Sequence, residues 1–316
     1  MNRAQAIVFE APQVLSVQTL ELKPFDDTDL EVEVGFSGIS TGTERLLWDG
    51  TMPPFPGLGY PLVPGYETVG TVVRVADTAD LRVGDQVFIP GSYSFQGVRN
   101  IFGGAGSRLI VPHDRVVRVA PELGPKAVLL ALAATCYHTI SLGGAREPMV
   151  APDLIVGHGV MGRLLARMTL ALGMPAPTVW ETQAVRRAGA VDYVAIDPQE
   201  DARRDYRAIY DVSGDGAILN RLIGCLAPGG EIVLAGFYKN DLSFAFAPAF
   251  MREAQIRVAA QWKKHDLQAV TALVETGALS LEGLITHTLN PGQAREAYEI
   301  AFGDVQCLKM MIDWRV

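Results

Sequence analysis

A chain of 316 residues has room for about two domains with separate apolar cores. Its 49% hydrophobic and 20% charged residues exclude a disordered chain, and a net charge of -8 with no Lys/Arg-rich stripe excludes nucleic acid as a partner. The first residues lack the apolar core of a signal peptide, and the longest apolar run, Ala127 to Ala134, is too short to span a bilayer, so a cytoplasmic protein with no integral membrane segment is expected.

In chain order, residues 1 to about 125 read as short strands between Gly/Pro turns: Ala6 to Phe9, Glu31 to Ser37, Thr68 to Val75, Gln86 to Pro90 and Leu109 to Val111. A proline-rich aromatic loop, Trp48 to Pro64, interrupts them and suits a rim over a pocket. The period then changes. A helix is predicted over Lys126 to Ile140, followed by strand Asp153 to Val156, helix Gly162 to Leu172, strand Thr178 to Glu181, a short helix to Ala188, and strand Tyr193 to Ile196. Strand Ala208 to Val212, helix Ala217 to Leu226, strand Glu231 to Gly236 and strand Gln255 to Ala260 continue the alternation, which means a parallel, doubly wound α/β sheet. Two amphipathic helices, Leu267 to Thr276 and Pro291 to Phe302, and a last strand, Cys307 to Ile312, form a tail expected to return to the first domain. Cys136, Cys225 and Cys307 are too few and too scattered for a disulfide framework or a zinc knuckle.

The segment Gly157-His158-Gly159-Val160-Met161-Gly162 follows the apolar Leu154-Ile155-Val156 and opens a helix, the context that makes a glycine triplet a dinucleotide fingerprint. The first glycine permits the tight turn, the second lets a pyrophosphate approach the backbone, and the third lets helix and strand pack closely. Glu181 lies nineteen residues beyond Gly162 at a strand end, where a carboxylate accepts the adenosine ribose hydroxyls and repels a 2'-phosphate, favouring NAD over NADP. Arg186 and Arg187 are close enough to reach a phosphate, and the side chain of His158 is read as incidental to binding.

Four further segments, Gly65-Tyr66-Glu67-Thr68-Val69-Gly70, Val83-Gly84-Asp85-Gln86-Val87, Thr135-Cys136-Tyr137-His138 and Ala227-Pro228-Gly229-Gly230, make nearly the whole chain resemble the medium-chain dehydrogenase/reductase superfamily. The resemblance implies a GroES-like β-rich catalytic domain from both chain ends, expected over 1–125 and 264–316, with a Rossmann domain inserted over 126–263. It also implies Thr135 against the nicotinamide, Gly236 in the cofactor site, an active site in the cleft, and a homodimer paired through the edge strand near Gln255 to Ala260. Zinc members of the superfamily carry ligands at the positions of Ser40, Tyr66 and Ala131. Serine, tyrosine and alanine do not make a zinc site, so a zinc-free enzyme is expected.

Without a Lewis acid, the hydroxyl proton and the developing oxyanion need other partners. Tyr66, Ser40 and Thr43 are the candidates, with Glu67 orienting Tyr66 or relaying a proton; the alternative is that Tyr66 fills the volume left by zinc. His138 reads as a structural imidazole. Within the superfamily, Ser37-Gly38-Ile39-Ser40-Thr41-Gly42-Thr43-Glu44-Arg45, Pro64-Gly65-Tyr66-Glu67 and Pro90-Gly91-Ser92-Tyr93-Ser94-Phe95 resemble the NAD-dependent dehydrogenases of bacteriochlorophyll biosynthesis that oxidise a ring-bound 1-hydroxyethyl group to acetyl. That resemblance implies a chlorophyll-type tetrapyrrole substrate, with Trp48, Phe55, Tyr60, Tyr93, Phe95 and Phe102 as candidate apolar lining. Two rival readings stay open: a zinc-free enoyl or quinone reductase, and a dinucleotide-binding protein without catalysis.

Overall fold

The computed structural model describes residues 2–142 and 149–315. The chain divides into two compact units, one from residues 1–131 with 282–316 and the other from 132–281.

The first unit is β-rich. Strands β1 (Arg3–Ala11) and β2 (Val14–Glu21) form an antiparallel hairpin. A seven-stranded sheet joins β3 (Asp29–Ile39), β4 (Thr68–Val75), β5 (Gln86–Ile89), β6 (Arg108–Pro112), β7 (Val117–Arg118), β14 (His287–Leu289) and β15 (Met310–Asp313) in the order β14-β15-β3-β4-β5-β7, with β6 also on β3. The alternating apolar residues of β3, Leu30, Val32 and Val34, are buried together with Ile7, Phe9, Leu47, Leu62, Ile110, Met310 and Ile312. The α-helices of the unit include α1 (Thr43–Asp49) and α8 (Ala294–Gly303). The three central strands decide where the site lies. Ser37 of β3 pairs with Thr68 at the start of β4, and Ile39 pairs with Met310 at the start of β15. The residues just outside these strands, Ser40, Glu67 and Lys309, therefore meet at one sheet end.

The second unit carries a six-stranded sheet in which every pairing is parallel: β8 (Leu154–Val156), β9 (Thr178–Trp180), β10 (Val194–Ile196), β11 (Tyr206–Asp211), β12 (Leu226–Leu234) and β13 (Gln255–Val258). Their order, β10-β9-β8-β11-β12-β13, is that of the doubly wound dinucleotide fold, with the order reversing between β8 and β11. The three residues of β8 are all buried, as expected for a strand flanked on both sides. The helices of this unit include α2 (Leu130–Ser141), α3 (Val160–Ala171), α4 (Ala184–Arg187), α5 (Leu219–Cys225), α6 (Phe246–Arg252) and α7 (Lys264–Glu275). Buried Leu164, Leu165 and Met168 hold α3 against its surroundings.

Four expectations are corrected. The units divide after 131 and 281, not after 125 and 263, because α7 stays with the dinucleotide fold. Its buried Asp266 accepts from His138 Nδ1 of α2 at 2.8 Å, and Leu267 and Val270 beside it are buried. That contact also gives His138 the structural role expected of it. The predicted helix from Lys126 becomes α-helical only at Leu130, because Pro121–Leu129 is 3-10 and Gly124 breaks it with φ 51°. Taken together, residues Pro121–Ser141 are long and apolar enough to cross a membrane, contrary to the limit set by the shorter apolar run, but 61% of the apolar window is buried inside the fold. Finally, β2, α1 and α6 lie in segments where no element is predicted; α1 and α6 span only seven residues each, too short to show a helical period.

Candidate active site and dinucleotide cradle

In the first unit the three hydroxyl candidates converge. Ser40 Oγ lies 2.5 Å from the Tyr66 hydroxyl, and Tyr66 donates to Thr43 Oγ1 at 3.4 Å. Phe102 packs edge-on to the Tyr66 ring at 4.9 Å and holds it in place. Burial and the neighbouring Glu67 charge push the Tyr66 phenol well above its ordinary value of 10, so it stays protonated.

Glu67 faces the other way. Both its carboxylate oxygens accept from Lys309 Nζ, at 2.6 and 3.0 Å, and the same ammonium donates to the Ile39 carbonyl at 3.0 Å. Both side chains of this pair are fully buried. Burial pushes the Glu67 carboxyl up, against the pull of the Lys309 ammonium. A Cβ on Gly38 would stand 2.3 Å from Glu67 Oε2, so the glycine in Ser37-Gly38-Ile39 makes room for this carboxylate. Glu67 thus underlies Tyr66 as a charge rather than touching it as a relay partner.

Glu44 is a second buried carboxyl in the same layer. It accepts from the Ser40 N–H at 3.2 Å and from the Tyr298 hydroxyl of α8 at 2.8 Å. Burial is the main reason its pKa is pushed up to about 8. Lys309 and Tyr298 escape a reading of short motifs because they come from the far end of the chain; the pairing of β15 with β3 brings Lys309 in, and the packing of Tyr298 of α8 on Phe9 and Trp48 brings in its hydroxyl.

The donor set at this sheet end does not fit zinc. Ser40 and Tyr66 offer hydroxyls already bonded to each other, Ala131 offers none, and among the described residues no three His, Cys, Asp or Glu side chains converge.

Of the aromatic candidates, Trp48 and Phe95 belong to the core, not to a lining. Trp48 stacks on Tyr298 at 6.0 Å, and Phe95 is 3% exposed. Tyr60 is anchored by its hydroxyl to the Leu47 carbonyl. Phe102 stands beside Tyr66, while Phe55 and Tyr93 are exposed.

The second unit holds the dinucleotide fingerprint between β8 and α3. Gly157 has φ 101°, open only to glycine without strain, and its N–H donates to the Trp180 carbonyl at 2.8 Å. A Cβ on Gly162 would stand 1.8 Å from the Gly157 carbonyl oxygen, so the third glycine is required by the close crossing of helix and turn. Val160 and Met161 form the first turn of α3, whose free N–H groups make an anion site.

Glu181, just after β9, is 8% exposed. Its Oε2 accepts from the His158 N–H at 3.0 Å and its Oε1 from the Gln183 N–H at 2.8 Å, leaving lone pairs on both oxygens for ribose hydroxyls. Arg187 turns away: it donates to the carbonyls of Glu181 and Thr182 and pairs with Asp197 at 3.1 Å. Thr135 is half-buried on α2, one residue from Cys136, whose thiol donates to the Met161 carbonyl at 3.5 Å. Gly236 follows β12, and its N–H donates to the Asp211 carbonyl at 3.1 Å, at the carboxyl ends of the central strands. The fingerprint, Glu181, Thr135 and Gly236 thus all belong to the second unit.

Residues 26–121 match the alcohol dehydrogenase GroES-like domain. The chain is 53% identical to a 2-desacetyl-2-hydroxyethyl bacteriochlorophyllide A dehydrogenase of Rhodobacter capsulatus, covering 98% of each, and 52% identical to the protein of that name in Cereibacter sphaeroides, covering 99% of each. Among solved structures, an alcohol dehydrogenase from E. coli CFT073 complexed with NADH matches with a TM-score of 0.82 at 19% identity, over 99% of this chain and 100% of that one. The 2R,3R-butanediol dehydrogenase of Bacillus subtilis matches with a TM-score of 0.82 at 17% identity, over 98% of this chain and 99% of that one. Those structures share the fold; the two sequence relatives decide the family. The chain belongs to the 2-desacetyl-2-hydroxyethyl bacteriochlorophyllide A dehydrogenase family, within the medium-chain dehydrogenase/reductase superfamily.

Proposed function

We propose that this protein is an NAD-dependent oxidoreductase that converts the 3-(1-hydroxyethyl) group of a bacteriochlorophyllide to 3-acetyl without a metal ion. The observation that carries the metal-free part is the Ser40–Tyr66–Thr43 hydroxyl cluster standing where a zinc enzyme would place ligands. Full-length identity to the two bacteriochlorophyllide dehydrogenases supports the substrate. Glu181, with both oxygens oriented by backbone N–H groups, supports NAD over its 2'-phosphate.

When bound, NAD supplies the hydride acceptor. The chain's own residues handle the proton. With its raised pKa, Tyr66 acts as a neutral phenol: it receives the carbinol proton as its own proton passes to Thr43 Oγ1, which releases its hydroxyl proton to water, while Ser40 holds the phenol oxygen in place, so no free phenolate forms. Ser40 is buried and Thr43 is half-buried, which makes Thr43 the outlet toward water. A carbinol carbon attached to a conjugated macrocycle spreads the positive charge that builds as hydride leaves, which lessens the need for a Lewis acid. Homodimer formation through β13, the sheet's edge strand, and a cytoplasmic location belong to the same proposal; the exposed Ile256 and Val258 on β13 support the first.

The test is a visible absorption spectrum of purified protein with NAD and 3-(1-hydroxyethyl) bacteriochlorophyllide. A red-shifted acetyl product forming in step with NADH is expected. No shift with authentic substrate would sink the reading.

A further inference from the structure

His158, the second residue of the fingerprint, is completely buried, and its ring is bonded on both sides. Nδ1 lies 2.6 Å from the Arg186 carbonyl and Nε2 lies 2.7 Å from the Tyr193 hydroxyl. A carbonyl only accepts, so Nδ1 carries the proton, and in the neutral ring Nε2 accepts from Tyr193. The Tyr193 ring adds an edge contact at 5.5 Å.

The backbone of the same residue works in parallel. The His158 N–H donates to Glu181 Oε2, and its carbonyl accepts from Arg163 Nε at 3.2 Å. Arg163 in turn donates to the carbonyls of Arg186 at 2.9 Å, Ala188 at 2.7 Å and Gly189 at 3.4 Å. One residue therefore joins the fingerprint turn, the carboxylate after β9 and the segment from Arg186 to Tyr193. Along that segment the Arg186 guanidinium reaches over the second fingerprint glycine, with Nη1 4.0 Å from where a Gly159 Cβ would stand.

We propose that His158 is a positioning residue of the adenosine-ribose subsite: its neutral ring and Tyr193 clamp the 186–193 segment onto the fingerprint, so that Glu181 and Arg186 are aimed at the adenosine end of NAD. The inference rests on the NAD reading above. Burial pushes the imidazole below its ordinary value of 6.5, and Arg163 and Arg167 push the same way, which agrees with a neutral ring. Arg186 is thereby placed to meet the pyrophosphate and Glu181 the ribose, while the His158 side chain itself touches neither.

The experiment is calorimetric binding of NAD and NADP to the full chain, for the wild type, His158→Ala and Tyr193→Phe, with thermal unfolding of each. Losing a hydrogen-bonded clamp should raise the Kd for NAD about tenfold in His158→Ala and about threefold in Tyr193→Phe, with a smaller loss for NADP, which shares the Arg186 contact but not the Glu181 contact to the 2'-hydroxyl, so that discrimination between the two narrows. In turnover, KM for NAD should rise while kcat at saturating NAD holds. If His158→Ala fails to fold, Tyr193→Phe, which keeps the ring and its packing, decides. Folded variants that bind NAD within about twofold of the wild type would overturn the inference, as would equal losses for NAD and NADP. A wild type that binds no NAD would instead refute the cofactor reading, and this inference with it.

Discussion

The two units use carboxylates in opposite ways. In the β-rich unit, Glu44 and Glu67 are buried beneath a layer of hydroxyls, one matched to Tyr298 and the Ser40 backbone, the other to the ammonium of Lys309. They shape the field under Tyr66 without making hydrogen bonds to it. In the dinucleotide unit, Glu181 is fixed by two peptide N–H groups and keeps lone pairs for a ligand. A buried carboxyl stays ionised only beside a counter-charge, as Glu67 does beside Lys309, and is pushed toward its protonated form without one, as Glu44 is; one set to bind at a ligand-facing edge needs only orienting dipoles.

The largest effect expected is from Gly162→Ala. The added methyl has no room against the Gly157 carbonyl, so NAD affinity should fall by about a hundredfold or more while the β-rich unit is unaffected. Calorimetric titration reads the loss, and unchanged affinity would show that the fingerprint is not the cradle. On the other side of the comparison, Tyr66→Phe should lower kcat by about a hundredfold or more with NAD affinity unchanged, as removal of a positioned acid/base does. A variant with full turnover would make Tyr66 a space-filler.

Breaking the buried pair probes stability. Lys309→Met should cost about 3–5 kcal/mol in denaturant unfolding, because it leaves Glu67 buried without its cation. The double variant with Glu67→Gln should be less destabilised than Lys309→Met alone, and simple additivity would contradict the coupling. A second stability effect, of similar order, depends on pH. The Glu44 pKa is raised from 4.5 to about 8 in the folded state, so the protonated form's contribution is complete below 4.5 and is lost as pH rises toward 8. Thermal midpoints of the wild type should fall relative to Glu44→Gln across that window; parallel profiles would argue against the shift.

The dinucleotide unit was far more legible in the sequence than its partner. The parallel strand β8 and the Ile232-Val233-Leu234 stretch of β12 are apolar runs, and the glycine pattern carries its own geometric reason, so the fingerprint and Glu181 could be located from spacing alone. The β-rich unit hides its logic in pairings between distant segments. Tyr66, Ser40 and Thr43 were nameable from the resemblance, and they do converge. Lys309 and Tyr298 were not, because the register of β15 on β3 brings a C-terminal lysine under residues of the N-terminal half, and α8 packs Tyr298 on Phe9 and Trp48. The same long-range pairing explains why Glu67 reads as a relay in sequence and serves as half of an ion pair in the fold. The His158 side chain reads as incidental in sequence for a different reason: a side chain inside a glycine turn has no periodicity, and its partners are an arginine carbonyl and a tyrosine more than twenty residues away.

The central claim is that hydroxyls and buried charges replace a metal at the carbinol. Turnover of 3-(1-hydroxyethyl) bacteriochlorophyllide with NAD, by protein treated with a strong chelator and shown metal-free by elemental analysis, tests it most directly. The expected result is full turnover that added zinc does not raise. Activity lost on chelation and restored by zinc would contradict it.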